Sequence, residues 1–469
     1  MNSQNLPSLL ELESILDRAI TFTGAFIGEG GDANPGGFQD ILEVLRTIEA
    51  RYVGRSVYVW GGETTLEGKL ETFRTNAMSA HSQVSPDIIL EACVFEIVTD
   101  EVNSIPIPQY VFNALGFQPE NRNFSYQKML FKDGYGLDHW NHNQSIPDFT
   151  RRETKLWFFY ASSRYIDVGA EALHLGQVAL MAKLDQDKSH TWQLLSAIRN
   201  YASVHARRNF VLCNAHIFSS EWKYNDTLLM DFHAFPCRPK TMQIITGTGE
   251  VPYRCSAGGK TVAGYEVDSL PYLVELDNWE SSDDEITWYG HLPIPHRRIW
   301  LQNAVKWLKD QDPRGHFEMP GLRPMTNQDH DIPNWYYCNN NYWSDVDTIL
   351  SIWSYPKNTL RAGEQLQLNS CLQSQNEQYQ FWMQSDGNLV LYNAQGNAIW
   401  QTLPKLGAKK LVMQWDGNLV ILDEHDQPLW SSGTGNQGPA YLLVQDDGNV
   451  VIYQPCSRPL WSTKGGLSI

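Results

Sequence analysis

Three short stretches near the C-terminal end of the chain repeat the same side chains at every second position. They cover residues 384–392, 414–422 and 445–453. Each alternates an amide, a carboxylate, a second amide and a valine, and two of the three end in a phenol. The residues are Gln384, Asp386, Asn388, Val390 and Tyr392; Gln414, Asp416, Asn418 and Val420; and Gln445, Asp447, Asn449, Val451 and Tyr453. On one extended strand these side chains would share a face, which would give a sugar ring convergent hydrogen bonds beside an apolar patch.

The repeated pattern resembles that of the bulb-type (monocot mannose-binding) lectin family. The resemblance implies a β-prism of three four-stranded sheets over residues 354–469, with one pocket per sheet for mannose-containing glycans. It also implies that Asp and Asn bind the 2-hydroxyl of mannose, Gln the 3-hydroxyl and Tyr the 4-hydroxyl, while Val packs on the ring. The second copy has Leu422 in place of the phenol, so we expect its pocket to be weak or silent.

Two further features belong to this segment. Trp400, Trp430 and Trp461 follow the repeats at the same spacing and are similar to the aromatic residues that each repeat of the family contributes to a shared core. Cys371 and Cys456 are its two cysteines, and the sequence leaves their pairing open.

Charge and the N-terminal sequence bound the partners and the compartment. The chain has 36 Lys and Arg against 53 Asp and Glu, a net charge of −17, which argues against a nucleic-acid partner. The first residues lack the basic start and apolar run of a signal peptide, and no apolar run reaches membrane-spanning length. We therefore expect cytoplasmic synthesis, with release by a non-standard route to act on external glycans.

Short apolar runs alternate with helical patterns through residues 1–353. This alternation is typical of βα units and a parallel sheet, and the eight runs match the number that a (β/α)8 TIM-type barrel requires. The runs are Thr21–Ile27, Ser56–Trp60, Ile88–Val98, Tyr165–Val168, Phe210–Cys213, Leu228–Phe232, Tyr272–Leu276 and Ile286–Tyr289. We predict a barrel domain over residues 1–353, followed by the prism.

Polar and aromatic side chains stand at or near the ends of these runs. Active sites of such barrels lie at the carboxyl ends of the strands, so we predict that these residues line a mouth that binds an oligo- or polysaccharide. They are Glu29, Trp60, Glu63, Glu96, His174, Asn214, His216, Asp231, His233, Asp277, Trp288 and His291. Carboxylates among aromatic rings favour glycoside hydrolysis, in which one acid protonates the leaving oxygen and another attacks or activates water.

Glu171 and Glu275 are the predicted acid/base and nucleophile, and Glu96 and Asp231 are the substitutes for these roles. Their positions, after the fourth run and at the end of the seventh, are similar to those in the clan of retaining barrel glycosidases. The resemblance is positional only, because that clan usually has Asn before the acid/base Glu and this chain has Ala170.

Two other functions remain open at this stage. One is a non-catalytic, lectin-guided binding protein, for example a toxin acting in defence or antagonism. The other is a metal-dependent hydrolase with His216, Asp231, His233 and His291 as ligands, although Glu29 stands where such enzymes have an HxH pair. Because the chain has no phosphate loop and no dinucleotide fingerprint, we expect no cofactor. We assign no metal site, and an oligomer is possible.

Overall fold

The chain divides into two compact units. Residues 15–350 belong to the first, and residues 351–469 together with 7–14 belong to the second. This computed structural model describes residues 6–30, 34, 36–217, 222–237, 258–264, 266–267, 269–278, 284–311, 314–326, 334–339, 344–354, 358–438, 440–454 and 458–465.

Among the described residues of the N-terminal unit, nine strands form one parallel ladder. They are β1 Ala19–Phe22, β2 Tyr52–Val59, β3 Ile89–Val94, β4 Ala172–His174, β5 Leu212–Asn214, β6 His233–Cys237, β7 Tyr272–Leu276, β8 Gly315–Phe317 and β9 Met319–Pro324. Pairing runs in order from β1 to β5, a parallel bridge joins His216 to Ala234 of β6, and β6 pairs β7, which pairs β8. Glu318 alone separates β8 from β9, and β9 pairs in parallel with β1. The ladder therefore returns to its first strand.

Shorter strands decorate this ladder. Trp335–Tyr337 adds to β9 in the antiparallel sense. Val98–Thr99 pairs in the antiparallel sense with Gln144–Ser145. A separate small sheet contains Lys223–Tyr224, Thr227–Leu228, Gly259–Lys260 and Glu266–Val267.

Helices connect the strands. The α-helices of the described residues are Leu9–Leu16, Gly37–Thr47, Leu66–Gln83, Gln109–Ala114, Tyr126–Met129, Arg152–Asp167, Val178–Met181, Ser189–His205, Glu285–His291, Ile294–Gln311 and Val346–Ser354. None of them is long and apolar enough to cross a membrane.

The structure corrects three of the predicted strands. Tyr165–Val168 is the end of the helix Arg152–Asp167 and its C-cap, and Gly169, with φ of 106°, reverses the chain before β4 begins at Ala172. Ile286–Tyr289 lies in the helix Glu285–His291, which begins at the side-chain cap Asp284. The run Leu228–Phe232 lies before β6 and only enters the small sheet. Short apolar runs in a buried helix and a buried strand look alike in sequence.

The C-terminal unit consists of three four-stranded antiparallel sheets, one for each repeat. The first contains Ser370–Gln373, Tyr379–Met383, Leu389–Asn393 and Ala398–Gln401; the second Gln365–Gln367, Ala408–Met413, Leu419–Asp423 and Pro428–Ser431; the third Thr359–Arg361, Tyr441–Val444, Val450–Tyr453 and Pro459–Ser462. The third sheet is completed by the first strand of the unit, which ties its two ends together.

One apolar core fills the space between these sheets. Trp400 and Trp461 meet edge to face at 5.6 Å between ring centroids, and Trp430 lies 6.3 Å from Trp461. The equal spacing of the tryptophans in the sequence thus corresponds to one aromatic cluster. Cys371 carries a free thiol, and Cys456 lies outside the described residues.

Candidate functional site

The five-residue pattern of each repeat does not lie on a single strand. Residues 384–388 form the turn of a hairpin, in which the Gln384 N–H donates to the Asn388 carbonyl over 2.9 Å and Gly387 donates back to Gln384 over 3.0 Å. Gly387 has φ of 77°, a conformation that glycine adopts without steric cost. Only Val390 and Tyr392 lie on the following strand, so the alternation predicted from the sequence is wrong at its first three positions.

The turn brings the polar ends of the pattern together across the hairpin. Gln384 Nε2 donates to the Tyr392 hydroxyl over 2.8 Å, and Gln445 Nε2 donates to Tyr453 over 3.0 Å. The Asp386 carboxylate accepts from the Asn388 N–H at 3.0 Å. The amide, the carboxylate and the phenol therefore come together, although only the phenol lies on the strand.

An open pocket of about 470 Å³ lies at the first repeat. It is lined by Asn369, Trp382, Gln384, Ser385, Asp386 and Tyr392. Trp382 pairs with Val390 across the hairpin and supplies the apolar wall, whereas Val390 is only 1% exposed. The second and third repeats have Val412 and Leu443 at the position of this tryptophan.

The other two repeats differ from the first in chemistry. In the second, Leu422 is buried in place of the phenol, and the side-chain oxygen Oδ1 of Asn418 already accepts from the Ser432 hydroxyl and from the N–H groups of Gly433 and Thr434. In the third, Lys464 Nζ lies 3.2 Å from the Asp447 carboxylate. In the first, Asn388 is buried and bonds Thr402 over 2.7 Å and Gln401 over 3.4 Å. The first repeat thus differs from the second in keeping its phenol, and from the third in having no lysine contact to its Asp carboxylate among the described residues.

A second cluster of functional groups lies along the strands of the N-terminal unit and centres on Glu275. Its carboxylate accepts from Arg55 Nη2 and from Arg323 Nη1, the latter at 2.8 Å, and lies 2.9 Å from His216 Nε2. Burial by itself would raise the pKa of Glu275, but the two guanidinium groups and the histidine hold it well below the ordinary value. Glu275 is therefore ionised at neutral pH.

Glu91 is the second carboxylate of this cluster. It accepts from the Tyr52 hydroxyl, from Asn214 Nδ2 at 2.7 Å and from the Arg55 N–H at 2.9 Å. Burial raises its pKa, and these hydrogen bonds partly oppose the shift. Asn214 also accepts from His174 Nδ1 at 2.6 Å, so one chain of hydrogen bonds links the histidine to Glu91.

Glu318, between β8 and β9, is the third carboxylate. Burial and the nearby charges of Glu275 and Glu91 raise its pKa to about 8, and Oε1 has no hydrogen-bond partner among the described residues. A Cβ on Gly54 would clash with this oxygen, so a side chain at that position would displace the carboxyl group. A protonated carboxyl beside an ionised one is the arrangement used for acid/base catalysis.

Glu171 is not part of this cluster, and its predicted position after a strand is wrong. It comes immediately before β4, is fully buried, and binds Arg207 and Arg208 with oxygen–nitrogen distances of 2.8–3.0 Å. Glu275 instead occupies the fourth of the five positions of β7. The two predicted catalytic groups therefore lie at different ends of their strands and share no partner among these contacts.

The remaining predicted mouth residues divide into three groups: those that join the Glu275 cluster, those that lie beside the end of β2, and those that make structural contacts. His174, Asn214, His216 and Asp277 join the Glu275 cluster, with His174 and His216 rings 4.7 Å apart and Asp277 Oδ1 3.4 Å from Arg55. Trp60 follows β2, is 39% exposed and packs edge to face on Phe95 and Trp140. Glu29 accepts from the Tyr58 hydroxyl at 2.6 Å.

The third group makes structural contacts. Glu63 accepts from the N–H and hydroxyl of Thr99, and Glu96 accepts from the N–H and amide of Gln177. Asp231 pairs with buried Arg199 at 3.0 Å. His233 is buried, which lowers its pKa to about 4. Trp288 and His291 lie on the helix Glu285–His291 rather than after a strand, which corrects their predicted position.

The metal alternative finds no support in this arrangement. Within the described part of the chain no three His, Cys, Asp or Glu residues are placed to hold a metal ion. Asp231 is engaged by Arg199 and by the Cys213 N–H, and His291 is a helix residue bonded to the Thr287 carbonyl.

Several residues of both sites escaped the sequence analysis. Arg55 and Arg323 were missed because basic residues inside a strand carry no periodic signal of their own. Glu91 lies inside the predicted run Ile88–Val98 and Glu318 lies outside every predicted run, so neither residue stands at the end of a run. Trp382 could have been found, since it stands two positions before Gln384 and so continues the alternate spacing of the repeated pattern.

The three sheets and the pocket make the C-terminal unit a lectin-like, β-prism-like domain. Among solved structures the chain is similar to a lectin from Marasmius oreades, with 27% identity over 23% of this chain and 90% of that one and a TM-score of 0.22. Monomeric monocot mannose-binding lectins from Gastrodia elata show 36% identity over 24% of this chain and 100% of the matched chain, with a TM-score of 0.22. The mannose-specific agglutinin of snowdrop (Galanthus nivalis), complexed with methyl-α-D-mannoside, is 36% identical over 24% of this chain and 100% of that one, with a TM-score of 0.20. No protein-family model and no curated protein matches the chain.

Proposed function

We propose that this chain is a glycan-binding protein that takes mannose-type sugars at the first and third repeats of its C-terminal unit. The observation that carries the proposal is the hairpin that joins Gln384 to Tyr392, beside Asp386 and the wall of Trp382. A sugar hydroxyl needs both donors and acceptors, and the pocket offers an amide, a carboxylate and a phenol. The indole gives the apolar C–H face of a ring a surface on which to pack.

Calorimetry with methyl α-mannoside tests this proposal on the full chain. We expect binding at two sites per chain, with the first tighter because Lys464 competes for Asp447 in the third. Failure to bind mannose and a panel of related monosaccharides would refute the proposed function.

The silent second repeat provides a gain-of-function prediction. In Leu422→Tyr a phenol would face Gln414 across the hairpin, as Tyr392 faces Gln384. The expected result is a weak third site per chain, measured as a change in calorimetric stoichiometry. An unchanged stoichiometry in a folded variant would mean that the three hydrogen bonds to Asn418, and not the missing phenol, silence this pocket.

We further propose that the N-terminal unit is a (β/α)8 barrel and that its interior carboxylates act on a glycan. Parallel pairing that returns to β1 supports the barrel. Protonated Glu318 beside ionised Glu275 supports glycoside hydrolysis, because such an enzyme needs one acid to protonate the leaving oxygen and one carboxylate to attack or activate water. Trp60 and Trp140 would form the sugar platform at the mouth.

One observation favours the alternative of a lectin-guided, non-catalytic protein such as a toxin. Glu275 is 1% exposed, and its carboxylate contacts Arg55, Arg323 and His216. A carboxylate with all these partners is a poor nucleophile. Release of reducing sugar from mannans and aryl glycosides separates the two functions. Hydrolysis that is lost in Glu318→Gln, with mannoside binding retained, supports the enzyme; no release by the wild type supports the binding protein.

A further inference from the structure

The loop that follows the first repeat exposes two leucines. Leu406 is 99% exposed and Leu403 is 72% exposed, on a segment that we call the repeat-one loop, residues 402–410. Single exposed apolar residues are common on protein surfaces, so exposure alone decides nothing. Lysines in the same segment, however, set it apart: Lys405, Lys409 and Lys410 are its only charged residues, in a chain whose net charge is −17. Lys409 and Lys410 lie at the start of the strand Ala408–Met413, and Lys410 pairs with Asp426 over 2.8 Å, so the charge argument rests on Lys405 and Lys409.

The loop is fixed to the prism rather than loosely attached. The Thr402 N–H donates to the Leu389 carbonyl over 2.9 Å, Lys405 to the Asp386 carbonyl over 3.0 Å, and Ala408 to Lys405 over 3.0 Å. A Cβ on Gly387 would lie 2.4 Å from the Lys405 carbonyl oxygen, which shows how closely the two backbones approach. The leucines are therefore held out at defined positions.

The second repeat shows that the fold does not require these residues. Its corresponding loop, residues 432–440, makes equivalent backbone bonds, from Ser432 to Leu419 over 2.9 Å and from Gln437 to Asp416 over 3.0 Å. That loop reads Ser-Gly-Thr-Gly-Asn-Gln-Gly-Pro-Ala and contains neither leucine nor lysine. Leucine and lysine in the first loop thus serve something other than the prism itself.

We propose that the repeat-one loop docks the protein onto an anionic lipid surface. Apolar side chains that enter the boundary between headgroups and acyl chains, with lysines beside them at the headgroups, are the pattern of interfacial membrane binding. Two leucines supply only a small part of the ~800 Å² per partner that a stable protein interface buries, whereas a fluid bilayer accepts a small protrusion without a matching shape. The positive charge of the loop selects an anionic surface.

The position of the loop gives this docking a consequence for the pocket. Lys405 is bonded to the backbone of Asp386, which lines the first pocket. A loop seated on a bilayer would therefore hold that pocket close to glycans displayed at the same surface. Weak attachment at two points raises the effective concentration at each.

Sedimentation of the full chain with vesicles tests the proposal. We expect binding to phosphatidylcholine vesicles that contain phosphatidylglycerol, weakened by salt, and little binding to phosphatidylcholine alone. The double variant Leu403→Ser/Leu406→Ser is expected to lose binding, and Lys405→Gln/Lys409→Gln to weaken it about thirtyfold. Leu184→Ser, which changes a leucine that is 50% exposed in the N-terminal unit, is the matched control and should bind as the wild type does.

Three outcomes would overturn the proposal. Equal binding by the wild type and both loop variants would show that the repeat-one loop does not bind the vesicles. Equal binding to neutral vesicles would show that charge does not select the surface. Absence of vesicle binding, together with a concentration-dependent dimer that Leu403→Ser/Leu406→Ser abolishes, would assign the leucines to a second copy of the chain. Unchanged thermal unfolding of each variant shows that the fold is intact.

Discussion

Replacing Gln384 and Gln445 by leucine is expected to abolish mannoside binding while leaving the prism folded. Leucine keeps most of the side-chain volume but removes the amide that donates to Tyr392 and Tyr453. The loss of one well-placed hydrogen-bonding group costs about 1–2 kcal/mol, which is about tenfold in affinity at each pocket. For a weak monosaccharide ligand this places binding beyond detection in calorimetry.

The second repeat supplies the matched control for this experiment. Gln414→Leu makes the same change in the pocket where Leu422 replaces the phenol, and we expect no effect on affinity or stoichiometry. If the control reduces binding as much as the double variant does, the second pocket is active and our assignment of two working sites fails.

Replacing Arg323 by methionine is expected to destabilise the N-terminal unit by about 3 kcal/mol. Arg323 is 2% exposed and bonds Glu275 over 2.8 Å. Without it a buried carboxylate keeps only Arg55 and His216, and a buried charge that loses a partner retains its cost of leaving water. Chemical unfolding followed at neutral pH measures the effect.

The pH dependence of this loss has a defined sign. The pKa of Glu275 is depressed in the folded state, so its ionised form stabilises the fold above the ordinary carboxyl pKa of about 4.3, and that contribution disappears as pH falls through the depressed value. The difference between wild type and Arg323→Met should therefore shrink in acid.

An exposed ion pair provides the comparison. Arg164→Met removes the 2.7 Å contact with Glu67, whose side chain is 55% exposed, and the 3.1 Å contact with Asp167. Because water screens such pairs, the change should cost no more than about 1 kcal/mol. Equal losses in the two variants would mean that the Glu275 network adds nothing beyond an ordinary surface pair, and its proposed tuning of Glu275 would be wrong.

The N-terminal unit shows how far local sequence patterns reach. The run Tyr272–Leu276 matched its strand residue for residue, because it is a short β-rich run between turn residues. Tyr165–Val168 failed, because the helix Arg152–Asp167 is buried on many sides and leaves no amphipathic period to read. Because of the same error, Glu171 was predicted to follow a strand, whereas in the structure it comes directly before the strand Ala172–His174.

In the C-terminal unit the repeated pattern predicted three of the residues that line the first pocket, Gln384, Asp386 and Tyr392, and it missed Trp382. It did not determine their geometry: alternation predicted a flat row, whereas Gly387 turns the chain and makes Gln384 meet Tyr392 across a hairpin.

The sequence by itself determined the number of repeats, the replacement of the phenol by Leu422 and the negative charge of the chain, because each can be read from residue types and spacing alone. Only the tertiary structure decided the partners of Glu275, since Arg55, His216 and Arg323 come from distant parts of the chain. It also decided the pKa values of Glu275 and Glu318, because burial and neighbouring charge exist only once these strands have assembled.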